Sequence, residues 1–457
     1  MYNEIWKNRK EEISGKITEL WEHPELPMME YESVEILSRW LEKNEFQVEK
    51  NYCGMPTAFR AVYGNKKPVI GFLAEYDAMD GLGNQAVPYR KSTDTRAGHA
   101  CLHCHIGGGN AGAAIAVKDY LKKSGKDGTV VVVGTPAEEL LYGKVAILGE
   151  GGFDGIDLLL TCHVDYQNCA ASRPTLSCFA TEFCFGGISS HSGASRAHNA
   201  LDGAELAVQM IERMRCHQFP GTSVEHVIRN GGRMPNITPD RASLWFNIRD
   251  AHYEKAKEVY EYIRSIVREA AGVAGVSCTE GFLAGCRGYL PNDTLGKLLY
   301  QQLEKIGVHT YTVEEIAWME ELAKNATGKD KVISDPGLCY LCEGVDPYSQ
   351  DDGEVSWHVP LGRVNWEIPL QIPLHNWCTT AIAGTELTKY GAFMASEALF
   401  GAAVEIFEDP SIAEKAEAER KERIGNKEIA DPVYGSFEEL TADPDSFWDG
   451  TWLEHRL

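Results

Sequence analysis

The stretch Gly98-His99-Ala100-Cys101-Leu102-His103-Cys104-His105 crowds thiols and imidazoles together in a way that suits a metal ion. Glu138-Glu139 comes after the apolar run Val130 to Val133, and His163-Val164-Asp165 comes directly after Leu158-Leu159-Leu160. Thiolate, imidazole and carboxylate are ligand types of a divalent metal site, and a carboxylate beside such a site can serve as a base. Alone, a Cys-x-His pair more often marks a buried cysteine beside a structural histidine. Here four such residues fall within Cys101 to His105, and Gly107-Gly108-Gly109 permits close backbone approach. Two ligands two apart in an extended or turn segment point the same way and can grip one ion. Adjacent carboxylates at a strand end cannot face the same way. One of Glu138 and Glu139 can therefore ligate while the other moves protons. Alone, that pair would equally suit the start of a helix. His375, in Pro373-Leu374-His375-Asn376-Trp377, is a loop histidine that its local sequence does not single out.

The elements that must position these residues follow from hydrophobic patterning. Residues 3–44 read as two helices, the second with Val34, Ile36, Leu37, Trp40 and Leu41 on one face. Pro68 to Ala74, Val130 to Thr135 and Leu158 to Cys162 are apolar runs, the mark of strands buried on both faces. A Gly-rich connection is expected after the first run, then a helix from about Asn110 to Lys123. Strand, helix, strand in this order implies a parallel sheet with crossover helices. Glu75 and Asp77, Glu138 and Glu139, and His163 and Asp165 then all lie at the carboxyl ends of strands, where open α/β sheets form their sites. From Thr175 to Cys278 the pattern becomes β-α-β-β-α-β, the ferredoxin-like order. A helix at Asp293 to Ile306 reopens the first pattern, and Leu387 to Val404 reads as a long closing helix. The fold class expected is α/β: a mostly parallel-sheet catalytic domain, residues 1–173 and 290–457, with an inserted α+β domain at 174–289. The segment from Ile412, first charged and then rich in Asp, Pro and aromatics, reads as a tail docked on a partner domain or subunit.

A chain of 457 residues supports two domains. Its formal net charge of −23 argues against nucleic acid and anionic membranes as partners, both being polyanions. No apolar run approaches the roughly 20 residues of a membrane span, and the first residues have no apolar signal core, so a cytoplasmic location is expected. The cysteine count of 13 is odd, and the spacings are scattered. In a reducing compartment these read as buried thiols, with one or two at a metal.

The order of Ala74-Glu75-Tyr76-Asp77-Ala78, Cys101-Leu102-His103, Glu138-Glu139, Cys162-His163-Val164-Asp165, an inserted domain and a late His375-x-Trp377 resembles the co-catalytic metallopeptidase and amidohydrolase family. That family includes carboxypeptidase G, aminoacylases and auxin-conjugate hydrolases. Gly112 to Val117, Pro235-Asn236-Ile237-Thr238-Pro239-Asp240 and Glu354-Val355-Ser356-Trp357 bring the chain nearest to its aminobenzoyl-glutamate hydrolase branch. The resemblance implies a homodimer and two divalent ions, zinc or manganese, held by Cys101, His103, Glu139, His163 and His375. It implies Glu138 as the base and Asp77 as the residue that orients a ligand. From the inserted lid and dimerisation domain, it implies His191 as an oxyanion-stabilising residue, with Asn236 and Arg249 binding substrate. The expected reaction is cleavage of an amide C–N bond in a small N-acyl or N-aroyl amino acid, or a dipeptide-like substrate. The chain departs from the branch at Cys101-Leu102-His103-Cys104, where Cys-Gly-His-Asn is usual. Two other readings remain open at this stage: hydrolytic deamination of an aromatic C–N bond, and a non-catalytic metal-binding homologue.

Overall fold

The structure is a computed structural model that describes residues 1–193, 198–329, 337–369 and 372–457. Eight strands form one mixed sheet in the spatial order 47–50, 59–64, 129–134, 69–74, 158–165, 361–367, 168–171 and 338–341. Its four central strands, Thr129–Gly134, Val69–Ala74, Leu158–Asp165 and Leu361–Glu367, run parallel. Alternate residues of each strand serve the two faces. Val130 and Val132 pack with the helices Tyr2–Glu22, His103–Ser124, Asp293–Ile306 and Glu386–Glu408, while Val131 and Val133 pack into a second core on the other side. The 386–408 helix is apolar and long enough to cross a bilayer by length and composition. Here Ala395, Ala398, Leu399 and Ala402 on it are fully buried, and it lies against the 103–124 and 293–306 helices.

The helix expected from Asn110 in fact starts at His103. The glycines before Asn110 had suggested a connection, but they are packing positions inside the helix. A Cβ at Gly107 would stand 2.5 Å from the Glu75 carbonyl oxygen, and one at Gly108 would stand 2.8 Å from Ile17. The run brings the helix start close against the end of the 69–74 strand.

The second sheet is antiparallel, in the order 223–230, 241–250, 177–186, 277–286 and 433–434. Its first four strands, with helices Ala200–Gln218 and Tyr253–Ala274, make the β-α-β-β-α-β unit expected from the sequence. Phe183, Phe185, Leu244 and Phe246 meet those helices. Cys178, Ala180 and Cys184 face the opposite way, into the core shared with Val131 and Val133. The connection that follows Asn230 is long, and in it Ile237–Thr238 pairs with Ser190–His191 as a small ribbon.

The fifth strand, Val433–Tyr434, belongs to the C-terminal tail. Phe447, Trp452 and Leu453 bury in the core on the helix-free side of this sheet. Trp452 Nε1 donates to Glu182 Oε2 at 2.6 Å, Trp448 Nε1 to the Pro27 carbonyl at 3.3 Å, and Tyr142 Oη to the Gly435 carbonyl at 2.9 Å. The tail therefore joins the inserted sheet to both the start and the middle of the chain.

Candidate metal centre

The site is assembled at the carboxyl rim of the central strands. Cys101 sits in a turn, and His103 is the first residue of its helix. Between them Leu102 is left-handed, with φ 57°, so the two side chains enter one space through a reversal of the backbone rather than through an extended segment. His163 lies inside the 158–165 strand, opposite Asn365, and not beyond its end. Glu138 and Glu139 begin the 3-10 turn Glu138–Leu140, flanked by left-handed Ala137 and Leu141. His375 is left-handed too, at φ 55°, and its N–H donates to the Ala100 carbonyl at 3.0 Å. Each such non-glycine residue costs on the order of 1–3 kcal/mol, and such strain clusters at functional sites. Leu102 stands between two candidate ligands, Ala137 and Leu141 flank the turn that carries Glu138 and Glu139, and His375 is itself a candidate ligand.

His103 anchors the geometry. Its Nδ1 lies 2.8 Å from Asp77 Oδ1. The carboxylate only accepts, so Nδ1 carries the proton and a neutral ring presents the Nε2 lone pair. That lone pair faces Glu138 Oε2 at 3.6 Å, Glu75 Oε2 at 3.7 Å and Glu139 Oε1 at 3.9 Å. His103 Nε2, Glu75 Oε2 and Glu139 Oε1 are all buried without a hydrogen-bond partner. Acceptors turned toward one another in a buried space are costly unless a cation lies between them. Cys101 Sγ is 3.6 Å from His163 Nε2. The other nitrogen of His163 donates to the Val164 carbonyl at 2.7 Å, which again turns a lone pair toward the site. His375 Nε2 is 3.7 Å from Glu139 Oε1. Three sets each have ligand atoms within 4.8 Å of one another: Cys101, His103 and His163; Cys101, Glu139 and His375; and His103, Glu138 and Glu139. The donor types, their spacing and the orphaned buried atoms fit divalent ions.

The protonation equilibria show the same crowding of charge. Without a metal, burial opposes the charged ring, but Asp77 and Cys101 outweigh it and favour a protonated His103; a bound cation would displace the Nε2 proton and hold the neutral, ligating form. Burial, then Glu75 and Asp351, push the Glu138 carboxyl well above the usual carboxylate range. Burial and Glu139 raise the Cys101 thiol, which a bound metal would offset by favouring the thiolate. Burial depresses His163 to about 3, so its ring is neutral.

Asp77 also accepts the Glu139 N–H at 3.0 Å, tying one carboxylate to two groups of the site. Sequence reasoning passed over a fully buried ion cluster behind them. Lys144 Nζ lies 2.9 Å from Glu75 Oε1 and also pairs with Asp351, whose other oxygen accepts the Lys144 N–H. The available signal was a lysine within the otherwise apolar helix Gly143–Gly149. Cys104 and His105 turn away from the site. His105 Nδ1 contacts Cys104 Sγ at 3.2 Å, and its Nε2 contacts Thr388 Oγ1 at 2.9 Å. His99 is bonded to the Leu20 carbonyl. The structure gives these residues internal partners.

The inserted unit contributes differently. His191, on the small ribbon, and Asn236, just before its second strand, are exposed, and the Ser192 N–H donates to the Asn236 carbonyl at 3.1 Å. Among the described residues neither side chain is hydrogen-bonded to the buried cluster. Arg249, on the helix-free face of the sheet, already pairs with Glu225 at 2.8 Å.

A doubly covered α/β sheet carrying a buried thiol, imidazole and carboxylate centre at its carboxyl rim defines a metal-dependent hydrolase. Comparison with known proteins points the same way. Residues 180–274 match the peptidase dimerisation domain of the M20 family. The chain is 29% identical over 436 residues to one of the p-aminobenzoyl-glutamate hydrolase subunits of Escherichia coli K12, covering 88% of this chain and 91% of that protein. It is 26% identical to the human Xaa-Arg dipeptidase, covering 91% and 90%. A dinuclear metal-binding M20 peptidase from Bacillus subtilis shares the fold at a TM-score of 0.55 and 18% identity, covering 88% of this chain and 99% of that one. An aminobenzoyl-glutamate utilization protein from Klebsiella pneumoniae does so at 0.60 and 14%, covering 87% and 98%. These likenesses support a place in the M20 metallopeptidase and amidohydrolase family near the aminobenzoyl-glutamate hydrolase branch, and the protein is a metal-dependent amidohydrolase.

Proposed function

We propose that this enzyme cleaves the amide C–N bond of a small N-acyl or N-aroyl amino acid, aminobenzoyl-glutamate-like, or of a dipeptide-like substrate. The observation that carries this reading is the set of unpartnered acceptors around His103 Nε2, beside the Glu138 carboxyl. Cys101, His103, Glu139, His163 and His375 would hold two divalent ions, zinc or manganese. When bound, such ions supply Lewis acidity toward a carbonyl and toward water. Asp77 keeps His103 in the tautomer that offers Nε2. Glu138 takes a proton from the attacking water and returns it to the leaving nitrogen. Burial and the neighbouring carboxylates raise its proton affinity, which favours its holding the transferred proton.

In this reading residues 174–289 form a lid that also dimerises. His191, exposed on its ribbon, stabilises the developing oxyanion in the partner's site, and Asn236 and Arg249 grip the substrate carboxylate. The working form is a cytoplasmic homodimer. The test is Glu138→Gln. We expect kcat to fall by about 10²–10⁴-fold, while elemental analysis still finds about two equivalents of zinc or manganese. A variant that keeps its activity overturns the role of Glu138. Wild-type protein that binds metal yet hydrolyses no member of an N-acyl amino acid panel overturns the reaction.

A further inference from the structure

Glu138 and Glu139 stand on a turn that their own backbone does not favour. Ala137 before it and Leu141 after it are left-handed, at φ 55° and 56°, a conformation that residues other than glycine keep only where the surroundings impose it. Two buried carboxylates impose it here. Asp77 accepts the Glu139 N–H at 3.0 Å. At the entrance of the turn the Ala137 N–H donates to Glu30 Oε1 at 2.8 Å, across 107 residues of chain.

Glu30 can reach that far because a second glutamate does its ordinary work. It occupies the N-cap of the helix Tyr31–Lys43, yet its side chain makes no capping bond. An N-cap acceptor normally takes an N–H two or three residues on. Those groups, of Glu32 and Ser33, donate instead to Glu25 Oε1 at 2.9 Å and Oε2 at 2.8 Å. The Glu25 carbonyl in turn accepts the Ala78 N–H at 2.8 Å, which moors the segment beside Asp77. Glu30 is fully buried, and its other oxygen has no hydrogen-bond partner. Burial, then Asp77, push its carboxyl well above the usual carboxylate range. A half-satisfied acid in a dry interior opposes folding, so stability does not account for Glu30. The one side-chain bond it makes goes to the turn that carries Glu138 and Glu139.

We propose that Glu30 is a positioning residue of the metal centre: through the Ala137 N–H it holds the entrance of the Glu138–Leu140 turn and, together with Asp77, sets where both carboxylates of that turn point. The inference rests on the amidohydrolase reading above, in which Glu139 is a ligand and Glu138 the base.

The test separates reach from charge. Glu30→Asp keeps the carboxyl but falls one methylene short of Ala137, whereas Glu30→Gln keeps an acceptor oxygen at full length. Zinc affinity is measured on the metal-free proteins by competition with a chelator, which needs no substrate. Glu30→Asp should weaken zinc binding about 10–100-fold, as the loss of a group that orients a ligand does, and Glu30→Gln should stay within about threefold of wild type. With N-benzoyl-L-glutamate, kcat of Glu30→Asp should fall about 10²-fold while KM moves less than about threefold, because a misplaced base slows the chemistry more than it weakens binding. The reverse order of the two variants, equal losses in both, or no loss in either overturns the role. So does a Glu30→Asp protein that loses zinc because circular dichroism shows it unfolded. A zinc loss confined to folded Glu30→Asp, in an enzyme whose wild type hydrolyses no N-acyl amino acid, keeps the role and overturns the hydrolase reading. Wild-type turnover, with kcat and zinc affinity both unchanged in Glu30→Asp, does the opposite.

Discussion

The carboxyl rim of the parallel sheet and the exposed ribbon of the inserted unit solve opposite problems. At the rim, His103 is 0% exposed, Cys101 5% and Glu138 5%, and Asp77 ties His103 to the Glu139 backbone. On the ribbon, His191 and Asn236 stand in solvent with two pairs of strand residues to support them. The rim must hold charged ligands rigidly in a dry space, because unpaired buried charge is expensive. The ribbon carries groups that, in the proposed mechanism, meet substrate only after closure or across a dimer, so rigidity in one subunit would gain nothing. In that proposed mechanism the chemistry is prebuilt in one region and completed from the other.

The largest expected effect sharpens this contrast on the stability side. Lys144→Met leaves Glu75 and Asp351 buried without their cation. Breaking such a pair costs about 3–5 kcal/mol, read as a fall in the urea midpoint at unchanged m-value. A loss under about 1 kcal/mol would show that the rim is not held electrostatically. Next comes His191→Ala. Here kcat should drop about 10²–10³-fold, with metal content unchanged and stability within about 0.5 kcal/mol of wild type. A large stability loss would put His191 with the rim residues and erase the comparison. Mixing His191→Ala and Glu138→Gln subunits should restore part of the activity, because a hybrid dimer assembles one complete site. No recovery would place His191 in its own subunit's site. The smallest effect is that of Thr388→Val, which removes the partner of His105 Nε2. It should cost about 1 kcal/mol and leave metal content unchanged. Lost metal would mean that Cys104 and His105 contribute to the centre after all.

Much of the architecture was readable because it is periodic. The apolar runs Pro68 to Ala74, Val130 to Thr135 and Leu158 to Cys162 announced buried parallel strands, and the β-α-β-β-α-β pattern from Thr175 to Cys278 announced the inserted unit. The glycines at 107–109 misled because glycine is ambiguous in sequence. The same residue that loosens a loop also lets a helix pack against Glu75 and Ile17. The tail offered only composition, and its fifth strand depends on an edge supplied by residues far earlier in the chain.

The sequence by itself determined the ligand types, their order along the chain and the strand ends that carry most of them. Those follow from side-chain chemistry and from periods of two and 3.6 residues. The tertiary structure alone decided which of these groups meet. It brought His375 from a distant loop to within 3.7 Å of Glu139, set Lys144 between Glu75 and Asp351, and turned Cys104 and His105 away. The reason is that facing direction depends on single backbone angles and on packing between remote segments. The left-handed turn at Leu102 is the clearest case: one residue's conformation, not its type, places Cys101 and His103 in the same space.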